Sequence, residues 1–273
     1  METITIKDRN VVAVSPEGQT AQMSLQELIA KLAPRRMDTN GAILPDGVKA
    51  AFSQGPYTIW VHQTPPRIWH MKWIKADSPA PYGPGATYRN VRIALPYLIV
   101  LAVFQADGRL TRFNECFFRS EPLNSPGDEL YYPALLNCSE FHEQRGNPLS
   151  WICTQHVKPD VVLKETSVCK RMQMGLKILL HCLVETGFNR SSEHHEKSSW
   201  YSNSVGVDPR IATVEKWEEA SLHDPLFVLD VPWLKTNHTL QQLVERIFTN
   251  RGAAAAAPAT AADIARIIFN QAR

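Results

Sequence analysis

The stretch Asn147–Val157, NPLSWICTQHV, places a cysteine between an apolar Trp-Ile pair and a polar Thr-Gln-His tail. A thiol attacks a carbonyl only as the thiolate, so it needs a nearby cation, dipole or base. His156 follows Cys153 by three residues and can serve as that base where the backbone turns back. Asn137 ends an apolar run after Pro133. A side-chain amide placed there can donate a hydrogen bond to a developing oxyanion. The plainer readings stand beside these. Free cysteine is often a small buried hydrophobe, and asparagine often starts a turn or ends a strand.

The other cysteines rank lower. Cys138, in LLNCSEF, reads as a packed strand end, and Cys116, in NECFF, as core. Cys169 and Cys182 fall on a long helix, where Leu179, Leu180 and Leu183 surround Cys182 and favour its burial. Five cysteines at irregular spacing do not form a disulfide framework. No C-x-x-C occurs, and His194 and His195 are adjacent rather than one helical turn apart, so no metal site is expected. The glycine-containing loops match neither phosphate-binding pattern, so no cofactor is expected. Asp208 and Asp224 open Asp-Pro pairs, which mostly start turns.

The elements that must position Cys153 are legible in outline. TITI and VVAV alternate like a hairpin. SLQELIAKLAP is a helix with Ser24 and Glu27 in capping-box positions, an apolar face of Leu25, Leu28, Ile29 and Leu32, and Pro34 as its stop. YTIWVH is a strand, QTPP is expected to be a turn, and RIWHMKWI is a second strand. In the second strand Trp69, Met71 and Trp73 face one way and His70 and Lys72 the other. SPAPYGPG is a loop. LPYLIVLAVF is apolar throughout, as a strand covered on both faces is, and a turn at ADG returns the chain through RFNECFF. EPLNSPGDEL is another loop, and YYPALLN leads to the cysteine region.

After Cys153 the pattern becomes helical. SVCKRMQMGLKILLHCLVETGF is a helix with Gly187 as its C-cap. TVEKWEEASL and TLQQLVERIF are shorter helices, with DPLFVLDVPW extended between them. RGAAAAAPATAADIARIIFNQAR is an alanine-rich linker and a small amphipathic helix, and deleting Ala253–Arg273 is expected to leave the folded core intact. The fold class expected is α+β, an antiparallel β-meander flanked by helices. The expected organisation is a β/α lead-in over 1–55, a core with a C-terminal helical extension over 56–250, and the linker and helix over 251–273.

The order LPYLIVLAVF, EPLNSPGDELYYPALLNC, PLSWICTQ and a long helix resembles the ubiquitin-conjugating enzyme superfamily. It is most similar to divergent bacterial branches such as the protein B family of plasmid PRTRC systems. The resemblance covers residues 57–190 and leaves 200–273 unmatched. In that superfamily a helix precedes a four-stranded meander, a proline-rich loop leads to an Asn-bearing segment, and G-x-[IV]-C delivers the active cysteine. SWIC therefore implies Cys153 as the acyl-carrying thiol. YPALLN stands where the family has His-Pro-Asn, and implies Asn137 as the oxyanion donor, with His156 shaping or polarising the site. This chain departs from the pattern in three places. Leu135 and Leu136 replace the His-Pro, Ser150 stands where Gly is frequent, and CSEFHEQRGNP lengthens the gap between Asn137 and Cys153.

The resemblance implies a thioester-forming carrier of a ubiquitin-like protein in a prokaryotic, plasmid or mobile-element system. Its partners would be an adenylating activating enzyme and that ubiquitin-like protein, and it would need no cofactor. The alternative is a non-catalytic binding or scaffold module on the same fold. A third reading is a thiol hydrolase using Cys153 and His156. The 273 residues, 44% hydrophobic and 21% charged, carry a formal charge of +2. That balance argues against a nucleic-acid partner. Ile93–Phe104, the longest apolar stretch, is broken by Pro96 and is too short to span a bilayer. Met1–Asn10 is polar and strand-like, so a cytoplasmic protein with free thiols and no membrane partner is expected.

Overall fold

A computed structural model describes residues 3–32, 44–74, 88–134, 138–139, 149–152, 154, 162, 164–184, 187–189, 206–251, 265 and 268. They form a mixed α+β structure of mostly antiparallel strands in a curled sheet, with a few helices. Two compact units divide the chain: 1–42, 53–56 and 251–273 in the first, and 43–52 and 57–250 in the second.

The first unit begins as a meander of β1 (Thr3–Lys7), β2 (Asn10–Val14) and β3 (Thr20–Ser24). Asp8 and Arg9 turn β1 into β2 with φ of 49° and 68°. Positive φ at both central residues is the twist a two-residue hairpin needs. Helix α1 (Leu25–Leu32) follows directly. Ser24 Oγ accepts from Glu27 N at 3.1 Å, and Glu27 Oε2 accepts from Ser24 N at 3.1 Å, which is the reciprocal cap expected from the sequence. Leu28 packs with Val11, Ala13, Ala21 and Met23, and Ala265 and Ile268 complete that core at 0% and 1% exposure. Ala265 and Ile268 are thus part of this unit's interior, which argues against the expectation that deleting Ala253–Arg273 leaves the core intact.

The second unit is organised by one long antiparallel ribbon. Strands β5 (Tyr57–Thr64) and β6 (Arg67–Ile74) run against β8 (Tyr97–Gln105) and β7 (Arg89–Leu95) respectively. The register is unbroken, passing from Thr64↔Leu98 to Arg67↔Leu95. Gln63–Pro66 is therefore not a turn. Pro65 and Pro66 lie across the ribbon from Pro96, and these three residues lack the N–H groups a ladder requires. Hydrogen bonding lapses there and the ribbon divides between two sheets.

Below the prolines, β4 (Val48–Gln54), β5, β8 and β9 (Glu115–Arg119) lie in that order. All seven residues from Leu98 to Phe104 are fully buried. Leu98, Val100, Ala102 and Phe104 share a core with Met172, Leu176, Leu179 and Leu183 of α2 (Val168–Val184). Gly175 permits the close approach: a Cβ there would stand 3.2 Å from the Phe104 ring. Helix α2 ends at Val184, and Gly187 lies instead in β13 (Gly187–Asn189), a strand parallel to β6. Pairing with the edge of β6 overrides the capping reading.

Above the prolines, β6 alternates as expected, with Trp69, Met71 and Trp73 buried and His70 and Lys72 exposed. Helix α3 (Val214–His223) covers β7. Its Glu218 accepts from Arg92 N at 2.9 Å, its Ser221 Oγ accepts from Ala94 N at 2.9 Å, and its Trp217 Nε1 donates to Ala94 O at 2.8 Å. Side chains thereby satisfy a strand edge that would otherwise invite pairing. Between α3 and the next helix the expected extended segment holds a 3-10 turn, Phe227–Leu229, because Asp224 Oδ1 accepts from Leu226 N and tightens the chain. Strand β14 (Lys235–Thr239) pairs with β10 (Glu129–Tyr131), and helix α4 (Leu240–Asn250) follows.

Truncating a buried isoleucine costs about 2–5 kcal/mol. Ile268→Ala should therefore destabilise the first unit by that amount, read as faster amide exchange at Val11 and Ala13 with β8 unchanged. Unchanged exchange at Val11 would remove Ile268 from this core.

Candidate functional site

Strand β9 carries an acid inside an apolar run, and that acid organises the approach to Cys153. Glu115 is 1% exposed, pairs across the ladder with Leu101 on one side, and with Trp151 on the other. Its carboxylate accepts from Leu149 N at 3.3 Å and from Arg246 Nη2 of α4 at 2.5 Å. Ser150 N also donates to it. Burial pushes the Glu115 pKa up, while the Arg246 guanidinium and the two backbone N–H groups oppose that rise.

The result is a clamp on β12 (Trp151–Ile152). Ser150 O accepts from Cys116 N at 3.1 Å, and Ile152 N donates to Asn114 O at 2.9 Å. Asn114 is fully buried and is fixed in turn. Its Oδ1 accepts from Val103 N at 2.9 Å, and its Nδ2 donates to Thr111 O at 2.6 Å. Trp151 Nε1 donates to Arg112 O at 2.5 Å. On the far side of β12 lies β11 (Cys138–Ser139), with Cys138 opposite Ile152 and Ser139 opposite Trp151.

Cys153, Asn137 and His156, the three residues that sequence reasoning selected, lie outside the described residues. Their immediate chain neighbours are described for two of them. Cys138 follows Asn137, Ile152 precedes Cys153, and these two neighbours are cross-strand partners. Both are fully buried.

The remaining cysteines separate cleanly. Cys116, Cys138 and Cys182 are buried and Cys169 is exposed. Burial first, and then the adjacent Cys138 thiol, push the Cys116 thiol well above the ordinary range, so it stays protonated and inert. Asp208 and Asp224 prove to be local stabilisers: Asp208 caps the turn Pro209–Ile211 and pairs with Arg210, which holds its carboxyl below the usual value. Among the described residues no three His, Cys, Asp or Glu side chains gather as a metal site, and no helix is long and apolar enough to cross a membrane.

Sequence reasoning missed Glu115, Asn114 and Arg246. Glu115 and Arg246 are 131 residues apart, so no spacing signals their pairing. The available hint was a glutamate in the middle of FNECFF.

Comparison with family models, with curated proteins and with solved structures gives no match for this chain.

Native alkylation with iodoacetamide followed by peptide mapping should mark Cys169 and leave Cys116, Cys138 and Cys182 unmodified. Labelling of Cys116 at a rate similar to Cys169 would contradict the burial described.

Proposed function

We propose that this chain is a thioester-forming carrier of a ubiquitin-like protein, with Cys153 as the nucleophile. The observation that carries the reading is the pairing of Cys138 with Ile152 inside a strand clamped by Glu115. Cys138 and Ile152 are the residues next in the chain to Asn137 and Cys153. The arrangement of elements supports it: β4, β5, β8 and β9 are neighbours in that order in one sheet, β10 and β11 precede the short strand β12 that comes before Cys153, and helix α2 packs on that sheet. Three of the other four cysteines are buried, which leaves Cys169 as the described competitor.

The chemistry is acyl transfer in two steps. The Cys153 thiolate attacks the carbonyl of an adenylated C-terminus, a C–S bond forms, and the adenylate leaves. An amine then attacks the thioester carbonyl, the C–N bond forms, the thiolate departs, and the amine's proton goes to a base. Asn137 would hydrogen-bond the oxyanion in each step, and His156 would polarise the site. ATP is spent upstream by the activating enzyme, so the carrier itself needs no cofactor.

Intact mass of the protein purified from its native host without reductant tests this, in a Cys169→Ser background and with Cys153→Ala beside it. The expected result is an adduct of small-protein mass that dithiothreitol removes and that Cys153→Ala abolishes. Absence of any such adduct, with partner capture unchanged in Cys153→Ala, would replace this reading with that of a non-catalytic binding module.

A further inference from the structure

The proline break in the ribbon opens a second site, within the larger unit. Asp46, Gly47, His62, Gln63, Thr64, Pro65, and then Arg67 and Trp69 past the break, line a cavity of about 360 Å³ that α2 closes with Lys177, Leu180 and His181. Arg67, Trp69 and His181 continue into an adjoining groove of about 610 Å³ along Ile68, His70, Lys72 and Asn90. Both volumes fall in the range of small-molecule sites.

His62 is 8% exposed and its Nδ1 is buried without a hydrogen-bond partner. A buried ring nitrogen left unmatched costs free energy that folding alone does not require. The other ring nitrogen, Nε2, is the one beside Gly47: a Cβ on that residue would come within 2.4 Å of it. Gly47 has φ of +80° as well, so both space and backbone exclude a side chain there. Burial, and then the charge of Arg67, lower the His62 pKa. A neutral ring that carries its proton on Nδ1 offers that buried, unpartnered nitrogen as a donor.

Arg67 is held ready. Its guanidinium carbon sits 3.5 Å from the Trp69 ring centroid. Stacking fixes the guanidinium plane and leaves its N–H edges available. Among the described residues neither Arg67, Lys72 nor Lys177 has a carboxylate within salt-bridge distance. Three cations thus line a continuous surface on which Asp46 is the one described carboxylate. In a chain whose formal charge is only +2, that is a strong local excess.

We propose that the cavity binds the phosphate group of a small phosphorylated molecule, with the remainder of that molecule along the adjoining groove. Arg67 supplies a planar pair of donors, Lys177 a point charge, and His62 a neutral donor to the oxyanion. A dianion balances the cationic excess; a single carboxylate would leave part of it uncompensated. The site is independent of Cys153 and of the acyl-transfer reading.

Calorimetric titration of the full chain with inorganic phosphate, phenyl phosphate and uncharged benzyl alcohol tests the proposal, with Arg67→Gln, Arg67→Lys, His62→Gln and the distant surface control Lys216→Gln. Both phosphates should bind, phenyl phosphate more tightly, and benzyl alcohol should not. Arg67→Gln should weaken binding at least about tenfold, the loss of one charge-assisted contact, with Arg67→Lys and His62→Gln intermediate and Lys216→Gln unchanged. Failure of either phosphate to saturate below about 10 mM would overturn the site. So would equal binding by wild type and Arg67→Gln, or an equal loss in Lys216→Gln, which would mark a general charge effect. Equal affinity for the two phosphates would overturn the role of the adjoining groove.

Discussion

A carboxylate with almost no exposure to water stands at the junction of strand, loop and helix in the larger unit. Glu115 must be compensated because an unpaired buried charge costs several kcal/mol. Arg246 and the amides of Leu149 and Ser150 provide that compensation from two different parts of the chain. Three segments distant in sequence are thereby fixed to one another: β9, the entry to β12, and α4. Such a pair is weak evidence for net stability, since an apolar substitute of similar shape can serve as well. Its value here is positional. The amide-accepting geometry sets where residues 149–152 lie.

The ribbon explains how one pair of strands serves two sheets. Residues 57–74 and 89–105 keep a single register, yet Pro65, Pro66 and Pro96 remove the donors that would have carried the ladder through. Below the break the ribbon is buried on both faces. Above it, one edge is closed by Glu218, Trp217 and Ser221 of α3. At the break itself His62, on the last turn of the ladder before the prolines, and Arg67, just after them, come to line the same cavity. The irregularity that divides the sheet also supplies one wall of that cavity.

What could be read from sequence was what local chemistry decides. Ser24 and Glu27 are three residues apart, so their capping box is visible in the string. The alternation of Trp69, Met71 and Trp73 against His70 and Lys72, and the apolar run of β8, were legible for the same reason. The errors arose where a distant residue decides. QTPP has the composition of a turn, and only the register kept on either side of it shows that the chain runs straight on. Gly187 suits a helix cap until β6 offers it a parallel partner. Phe227–Leu229 looks extended until the Asp224 side chain tightens it. Ala265 and Ile268 sit beyond an alanine-rich linker, and nothing local ties them to Val11. The Glu115–Arg246 pair spans 131 residues and is invisible to any spacing rule. The His62–Arg67 cavity was missed because its chemistry depends on the bend and on Lys177 from α2. Cys153, Asn137 and His156 were chosen on type, order and resemblance, and the structure describes the frame beside the first two rather than those residues.

If the Glu115 clamp holds residues 149–152 in place, amide hydrogen exchange in Arg246→Met reads its loss. Trp151 and Ile152 should exchange at least about tenfold faster than in wild type, a local opening made easier by the loss of one charged partner. Val100 and Ala102 in β8 should keep their protection, and adding Glu115→Gln should restore much of it at Ile152 by removing the stranded charge. Unchanged exchange at Ile152, or an equal rise in β8, would contradict a local clamp and reduce Glu115–Arg246 to an ordinary internal ion pair.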